Sequence, residues 1–498
     1  MAGYAATAMA HALSSPTRQP SGSFLHALSG THFTIQSDDR RTIQKIERHG
    51  ASADYPVAYM IGSGSHAFGF LIQVGDRLFQ SPISYYTKRG MWDMAPGYEA
   101  DRSPDFDRPI TPECLFCHSG GAKPIQGTLN RYQTPPFKDE GITCERCHGP
   151  ADAHLRNPVP GSIINPGKLA IRARDSICEQ CHLSGEARIV NPGKRLTDFH
   201  PGEILEDVFS VYLSAEARDP SRTKPLKVIS QAQQLALSTC ARMSHGKMWC
   251  GSCHNPHETP TDAKSYFRAR CLACHGTALI STHPKPADDC IGCHMPRRPA
   301  KDGGHTVFTD HRIARVPQPD TGVDANEPLD RLTAWQEPQD AFAKRNLGLA
   351  YIDVGRKSQS ADYMYRGYRL LLACEPEFPN DPAVLTGIGL VLLGTHHPTE
   401  AAATFARTAR LEPANPEHYM DEGFAWKEAG NQPKAIESFG KALQIDPLLK
   451  QAYEGLAATY IQAHDPAQAR ETFERYLKAS PGSIEAQVAV RTIGGRAP

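Results

Sequence analysis

Six copies of Cys-x-x-Cys-His, packed between Cys114 and His294, constrain this chain more than any other feature. They are Cys114-x-x-Cys117-His118, Cys144-x-x-Cys147-His148 and Cys178-x-x-Cys181-His182, then Cys250-x-x-Cys253-His254, Cys271-x-x-Cys274-His275 and Cys290-x-x-Cys293-His294. The pattern is the attachment signature of c-type haem. Both thiols add to the porphyrin vinyl groups as thioethers, which leaves the adjacent imidazole under the iron as its proximal ligand. Zinc ribbons also use Cys-x-x-Cys pairs, but their second pair or His follows ~12–20 residues later. Here a His follows the second Cys directly in every copy. Neighbouring residues rarely reach one tetrahedral ion without strain, and a disulfide framework leaves the histidines unexplained. Six covalently attached haems are therefore expected, with the twelve motif cysteines as attachment points and His118, His148, His182, His254, His275 and His294 as metal ligands.

Twelve of the 14 cysteines lie in the motifs, leaving only Cys240 and Cys374. Cys240 reads as a buried thiol near the fourth motif and Cys374 as core of a helix. The net charge of zero points neither to nucleic acid nor to an anionic membrane surface. No apolar run approaches the ~18 residues of a membrane span. Haem attachment is completed on the exported side of a membrane, so a periplasmic or extracellular location is expected. Residues 1–9 carry no basic stretch followed by an apolar core. The expectation is that a signal peptide has been removed or that the reading frame starts upstream.

At ~150 residues per unit, 498 residues suggest about three structural units. Residues 1–104 read as a short helix followed by antiparallel strands. Phe33-Thr-Ile-Gln alternates, and 67–74 reaches Gly75-Asp76 before Arg77-Leu-Phe-Gln80, a hairpin signal. Residues 105–315 form the hexahaem unit, rich in Pro, Gly and polar residues, with short helices at most. Porphyrins are expected to serve as its core, in place of side chains. Residues 316–338 read as a linker. In 339–498 a period of 34 appears: Pro379, Pro413, Pro447 and Pro481 fall at equal spacing, as do Ala401, Ala435 and Ala469, and Phe405, Phe439 and Phe473. Gly389, Gly423 and Ala457 repeat in step with Leu392, Trp426 and Tyr460. This is the tetratricopeptide pattern, and it predicts about four helical hairpins stacked as an all-α superhelix, the first of them distorted. Such arrays hold a peptide or partner protein in their groove, or simply cap and dimerise the rest of the molecule.

Of 22 histidines, six are proximal by position, and His396, His397, His418 and His464 fall in the array, away from the chemistry. Twelve remain for six distal places. His66, His154, His257, His283, His305 and His311 are the candidate distal metal ligands. His245 and His200 rank below them, and His11, His26, His32 and His49 are weaker still. Met9 and Met295 read as packing rather than ligation.

These residues resemble a family of bacterial multihaem c-type cytochromes that carry a tetratricopeptide tail, whose haem module is similar to the tetrahaem cytochrome c of nitrifiers. The resemblance rests on Tyr59-Met-Ile-Gly-Ser-Gly-Ser-His66, Met94-Ala-Pro-Gly-Tyr98 and Gly141 to Pro150 with His154. It continues in Cys240 with Cys250 to His257, in Cys290 to Pro296, and in Phe308-Thr-Asp-His311. It implies His66, His154, His257, His283 and His311 as distal ligands. In that family a segment like Tyr4 to Met9 follows another Cys-x-x-Cys-His, which implies a seventh haem upstream.

The expected function is electron transfer between redox partner proteins, with the array docking a protein or peptide; no catalytic residues are assigned. The alternative is a multihaem oxidoreductase acting on a small nitrogen or sulfur compound at an iron with an open position. The haem of Cys114 to His118 is the expected open site, because no dedicated distal His lies near it in sequence. Such a site also needs nearby proton donors; several Arg, Lys and Tyr residues are available, among them Arg188, Lys194 and Arg242, and no spacing singles them out. A third class is a scaffold in which the repeats dominate and the haems give rigidity or redox sensing.

Overall fold

The computed structural model describes residues 2–39, 41–218, 225–283, 288–316 and 331–493. The first third is an antiparallel sheet. From one edge its strands run Arg108–Pro109, Arg77–Gln80, Gly69–Val74, Ala51–Ile61, Thr42–Arg48, Thr31–Ser37 and Gly22–His26, and Leu13–Ser14 also pairs with Ala51–Ile61. The order follows from period-two burial: in Thr42–Arg48 every second residue is inside. The expected hairpin is present, with Val74 opposite Arg77 and Gly75 at φ 61° in the turn between them. Phe33, Ile35, Ile46, Phe70, Ile72, Ile83 and Trp92 form the core under this sheet.

The middle of the chain is irregular, with two- and three-stranded sheets and short helices. Its two halves are built differently. Around Ala187–Val190 and Phe209–Ser214, an apolar cluster of Phe116, Leu183, Leu196, Phe199, Leu205 and Phe209 gives an ordinary core. The helices Cys250–Cys253, Ala263–His275, Ala278–Thr282 and Cys290–His294 contain no buried residue.

Residues 317–330 of the expected linker lie outside the described residues. The rest of it is not all loop: Leu332–Ala334 pairs with Phe209–Ser214 as a third strand. Leu332 is buried and its N–H donates to the Tyr351 hydroxyl at 3.2 Å, so the strand is tied to the array that follows.

Four helical hairpins make that array: Asp340–Ser358 with Ala361–Cys374, Pro382–Gly394 with Pro398–Leu411, Pro416–Glu428 with Gln432–Ile445, and Lys450–Gln462 with Pro466–Ala479. Ile484–Ile493 closes the stack. Side chains of Asp381, Asn415, Asn431 and Asp465 cap helices whose first turn carries Pro. The 34-residue pattern is steric: a Cβ on Gly423 would lie 2.7 Å from the Phe439 ring, so Gly lets the partner helix bring its Phe in.

The array is docked at both ends. At its start, Asn346 donates to the side chain of Asn191 at 2.8 Å and Arg345 to the carbonyl of Val190 at 2.9 Å. At its end, Ile484 enters the core of the first sheet, Arg77 pairs with Asp446 at 2.7 Å, and Lys450 with Asp107 at 2.6 Å. The inner helices of the first repeats therefore face the segment that carries the first Cys-x-x-Cys-His motifs.

Candidate haem-attachment sites

All six motifs sit on short helices or at helix ends: Pro112–Phe116, Glu145–His148, Ile171–His182, Cys250–Cys253, Ala263–His275 and Cys290–His294. Helical spacing brings residues three and four apart to one face, which is the relation of the second Cys and the His to the first Cys. Asp262 and Asp289 cap the helices of the fifth and sixth motifs through the backbone N–H groups of Ser265 and Gly292. No disulfide joins any of the 14 cysteines, so neither thiol of any motif pair is taken up by a bridge.

Three motif histidines are held in one way. Nδ1 of His118 meets the carbonyl of Ala12 at 3.2 Å, that of His148 the carbonyl of Ile164 at 2.7 Å, and that of His294 the carbonyl of Ala314 at 2.9 Å. A carbonyl on Nδ1 fixes the tautomer and leaves the Nε2 lone pair free, the arrangement metal-ligating histidines adopt. Burial keeps His118, His182 and His254 less basic than usual, so each ring stays neutral and able to ligate near neutral pH.

Three non-motif histidines face motif ones. His148 and His257 approach Nε2 to Nε2 at 3.5 Å, with rings 19° from parallel. Two imidazole–metal bonds of about 2 Å each span nearly that gap. His254 and His311 have ring centroids 6.2 Å apart, and His283 and His294 6.0 Å. His311 carries its own carbonyl on Nδ1, from Thr309 at 2.9 Å.

The other candidates fall elsewhere. His66 packs on Phe308, with ring centroids 4.5 Å apart. His154 has Nδ1 on the Ser162 hydroxyl at 2.8 Å. Nε2 of His305 is taken by the Asp93 carboxylate at 2.7 Å, and its ring lies edge-on to Tyr86. His26 is bound by Ser29, His32 lies 3.7 Å from Glu47 and His200 3.8 Å from Glu203. His49 and His245 occupy left-handed turn positions.

Sulfurs of different motifs lie within hydrogen-bonding reach of one another, which shows which motifs are neighbours. Cys117 is drawn down to about 6, first by hydrogen bonding from Cys181 and then by Arg188, while Cys181 is pushed up. Cys178 is pushed up by Cys250, which is lowered in turn. Cys271 rises to about 11 through burial and the adjoining Cys290 and Cys253. Motifs one, three, four, five and six thus form a series, and Cys147 of motif two lies beside Cys178.

A cavity of about 1360 Å³ opens at the first motif, lined by Cys114, Cys117 and His118 on one side and by inner helices of the array on the other. Cysteine pairs outside any disulfide, imidazoles with one nitrogen anchored, and a cavity of this volume fit covalently held haem. Sequence reasoning set His418 aside as part of the array, yet it lines this same cavity. The signal that identifies it lies in the repeat pattern: His418 takes the place held by Val384 and Ala452 in the neighbouring repeats.

The family profile "Cytochrome c554 and c-prime" matches residues 90–149, across the first two motifs, and the tetratricopeptide repeat profile matches 428–491. Multiheme cytochrome MtrA of Shewanella baltica is 26% identical over 181 residues, covering 32% of this chain. The chain spans about half the length of that relative, 51%. Two solved MamA structures align with 29% of this chain and with 78% and 80% of their own, at 24% and 20% identity. Their TM-score of 0.26 is too low to carry an argument.

Proposed function

We propose that this chain, a multihaem c-type cytochrome with C-terminal tetratricopeptide repeats, carries electrons between redox proteins in the periplasm or outside the cell through six attached haems. Bound haem iron supplies one-electron chemistry at potentials set by its axial ligands and surroundings. The residues supply the rest. The cysteine pairs at 114/117, 144/147, 178/181, 250/253, 271/274 and 290/293 hold the rings, and His118, His148, His182, His254, His275 and His294 are the proximal ligands. We assign His257 opposite His148, His311 opposite His254 and His283 opposite His294. His66 and His154 remain candidates for other irons; His305, ion-paired with Asp93, is left out. The helices from 250 to 294, with no buried residue of their own, obtain their core from the rings.

The observation that carries this reading is the His148–His257 pair, two near-parallel imidazoles meeting through their Nε2 atoms at 3.5 Å. Ligands of this kind close an iron to substrate and suit a carrier. The array supports protein–protein docking. The test is haem counting by intact mass, with electron paramagnetic resonance of the oxidised protein. Six additions and predominantly low-spin signals support the carrier; fewer additions, or mostly high-spin iron, overturn it.

One site favours a second reading. Among the described residues no histidine ring is paired with that of His118, and the cavity in front of it is large. We propose that this iron keeps an open position, which makes the chain a candidate oxidoreductase for a small nitrogen or sulfur compound.

A further inference from the structure

The cavity at the first motif is large. Pockets that bury drug-sized molecules reach ~1,000 Å³, whereas this one measures about 1360 Å³. Cys114, Cys117 and His118 line one side of it and the array the other, so a ligand of a haem held there would meet the array. The third repeat reaches the segment around the motif: Ala414 packs 3.1 Å from a Cβ built on Gly127, and Glu417 feels the charge of Glu113, the residue before Cys114.

The third repeat also breaks its own pattern here. In register, His418 corresponds to Val384, Ala452 and Ala486, all fully or almost fully buried. Asp421 corresponds to Gly387 and Gly455. Packing alone asks for small apolar residues at both places. His418 is instead 6% exposed, donates Nε2–H to Glu412 at 2.7 Å and leaves Nδ1 without a hydrogen-bond partner. Buried polar atoms are rarely left unpaired without a reason. Nδ1 accepts a hydrogen bond from a protonated ligand, or donates one once the ring gains a proton. Asp421 beside it is pushed up to about 7 by burial and by Glu417, so it holds a proton close to neutral pH. Arg356, whose charge acts on both carboxyls, lines the cavity together with Arg188 and Lys194. Propionates of a haem held there would take up part of this positive charge, and a small anion is the ligand class that suits the remainder.

We infer that the third repeat contributes to the ligand-side wall of the first haem, with its His418 and, from the first repeat, Arg356 receiving a small anion bound at that iron. The inference rests on the reading that this iron has an open position. Its test is titration of the oxidised holoprotein with cyanide and with nitrite, followed by the Soret band and by electron paramagnetic resonance. His418→Ala and His418→Val reproduce the residues of sister repeats, so both variants fold. The expected result is one anion-binding haem in the parent protein. In both variants the haem content is unchanged and affinity falls about 10- to 100-fold, as for a lost hydrogen bond to a charged partner. Equal affinity in parent and variants overturns the role of the third repeat and leaves the open iron standing. No anion binding by the parent protein overturns the open position itself.

Discussion

Replacing Lys450 by Met tests how the array is clasped to the rest of the molecule. Its ammonium lies 2.6 Å from Asp107, touches Glu485 and is 3.7 Å from Glu454, with the side chain 13% exposed. Asp105, 2% exposed and held up to about 6 by burial and by Asp107, sits within reach of the same charge. Removing one partner of a buried ion pair costs about 3–5 kcal/mol, because the stranded charges stay buried. Taking the lower figure, opening of the clasp becomes about 100-fold more frequent. The pH dependence has a definite sign. Asp105 is raised from 3.8 to about 6, so the unfolded chain ionises first. Its stabilising contribution is complete below about pH 4 and is lost as pH rises to about 6. Lys450 lowers this carboxyl, and removing it carries the loss to higher pH. The variant's deficit is therefore larger at pH 8 than at pH 5. The assay is hydrogen exchange of amides in Lys450–Gln462 and Ile484–Ile493, which reads local opening directly. Exchange within threefold of the parent at pH 8, or a larger deficit at pH 5, refutes the reasoning.

Three further outcomes are expected. His257→Ala leaves haem content unchanged but converts one low-spin iron to a high-spin one that binds carbon monoxide after reduction, measured by electron paramagnetic resonance and difference spectra. Gly423→Ala forces a methyl against the Phe439 ring, 2.7 Å from its nearest atom, and destabilises the array by about 1–3 kcal/mol in denaturant titration. Chain produced without haem attachment is cut by protease within residues 250–300, where the helices bury nothing of their own, while the array stays intact.

What the sequence revealed is what is local in it. Cys-x-x-Cys-His is complete within five residues, so the motifs stand out without any structure, and the 34-residue frame repeats Gly, Ala, Phe and Pro at fixed steps, so the hairpins were legible. Distal partners were not, because His257 meets His148 across 109 positions and nothing in the intervening spacing encodes that. His305 looked equivalent to His311 by position, yet the Asp93 carboxylate, 212 positions away, occupies its Nε2. His418 was missed for a different reason: repeat membership was taken to explain the residue, when the informative feature was its departure from the repeat. The strand at 332–334 was hidden because three residues beside a polar stretch carry no periodicity.

The neighbour order of the attachment sulfurs has a consequence for how electrons traverse the chain. Motif one adjoins three through Cys117 and Cys181, three adjoins four through Cys178 and Cys250, and five adjoins six through Cys271 and Cys290, with Cys253 of motif four beside Cys271. Motif two lies to the side, against motif three. Removing the fourth haem with Cys250→Ala and Cys253→Ala therefore divides the set into two groups, one of three and one of two. Removing the second with Cys144→Ala and Cys147→Ala leaves the series unbroken. Stopped-flow reduction by a protein-sized donor separates the cases by amplitude. The first variant shows a fast phase and a distinct slow phase in a ratio of three to two or the reverse, depending on the end at which the donor docks. The second keeps the parent's single sequence of phases at five-sixths of its amplitude. A biphasic second variant, or a first variant reduced like the parent, means that the sulfur contacts do not mark the path.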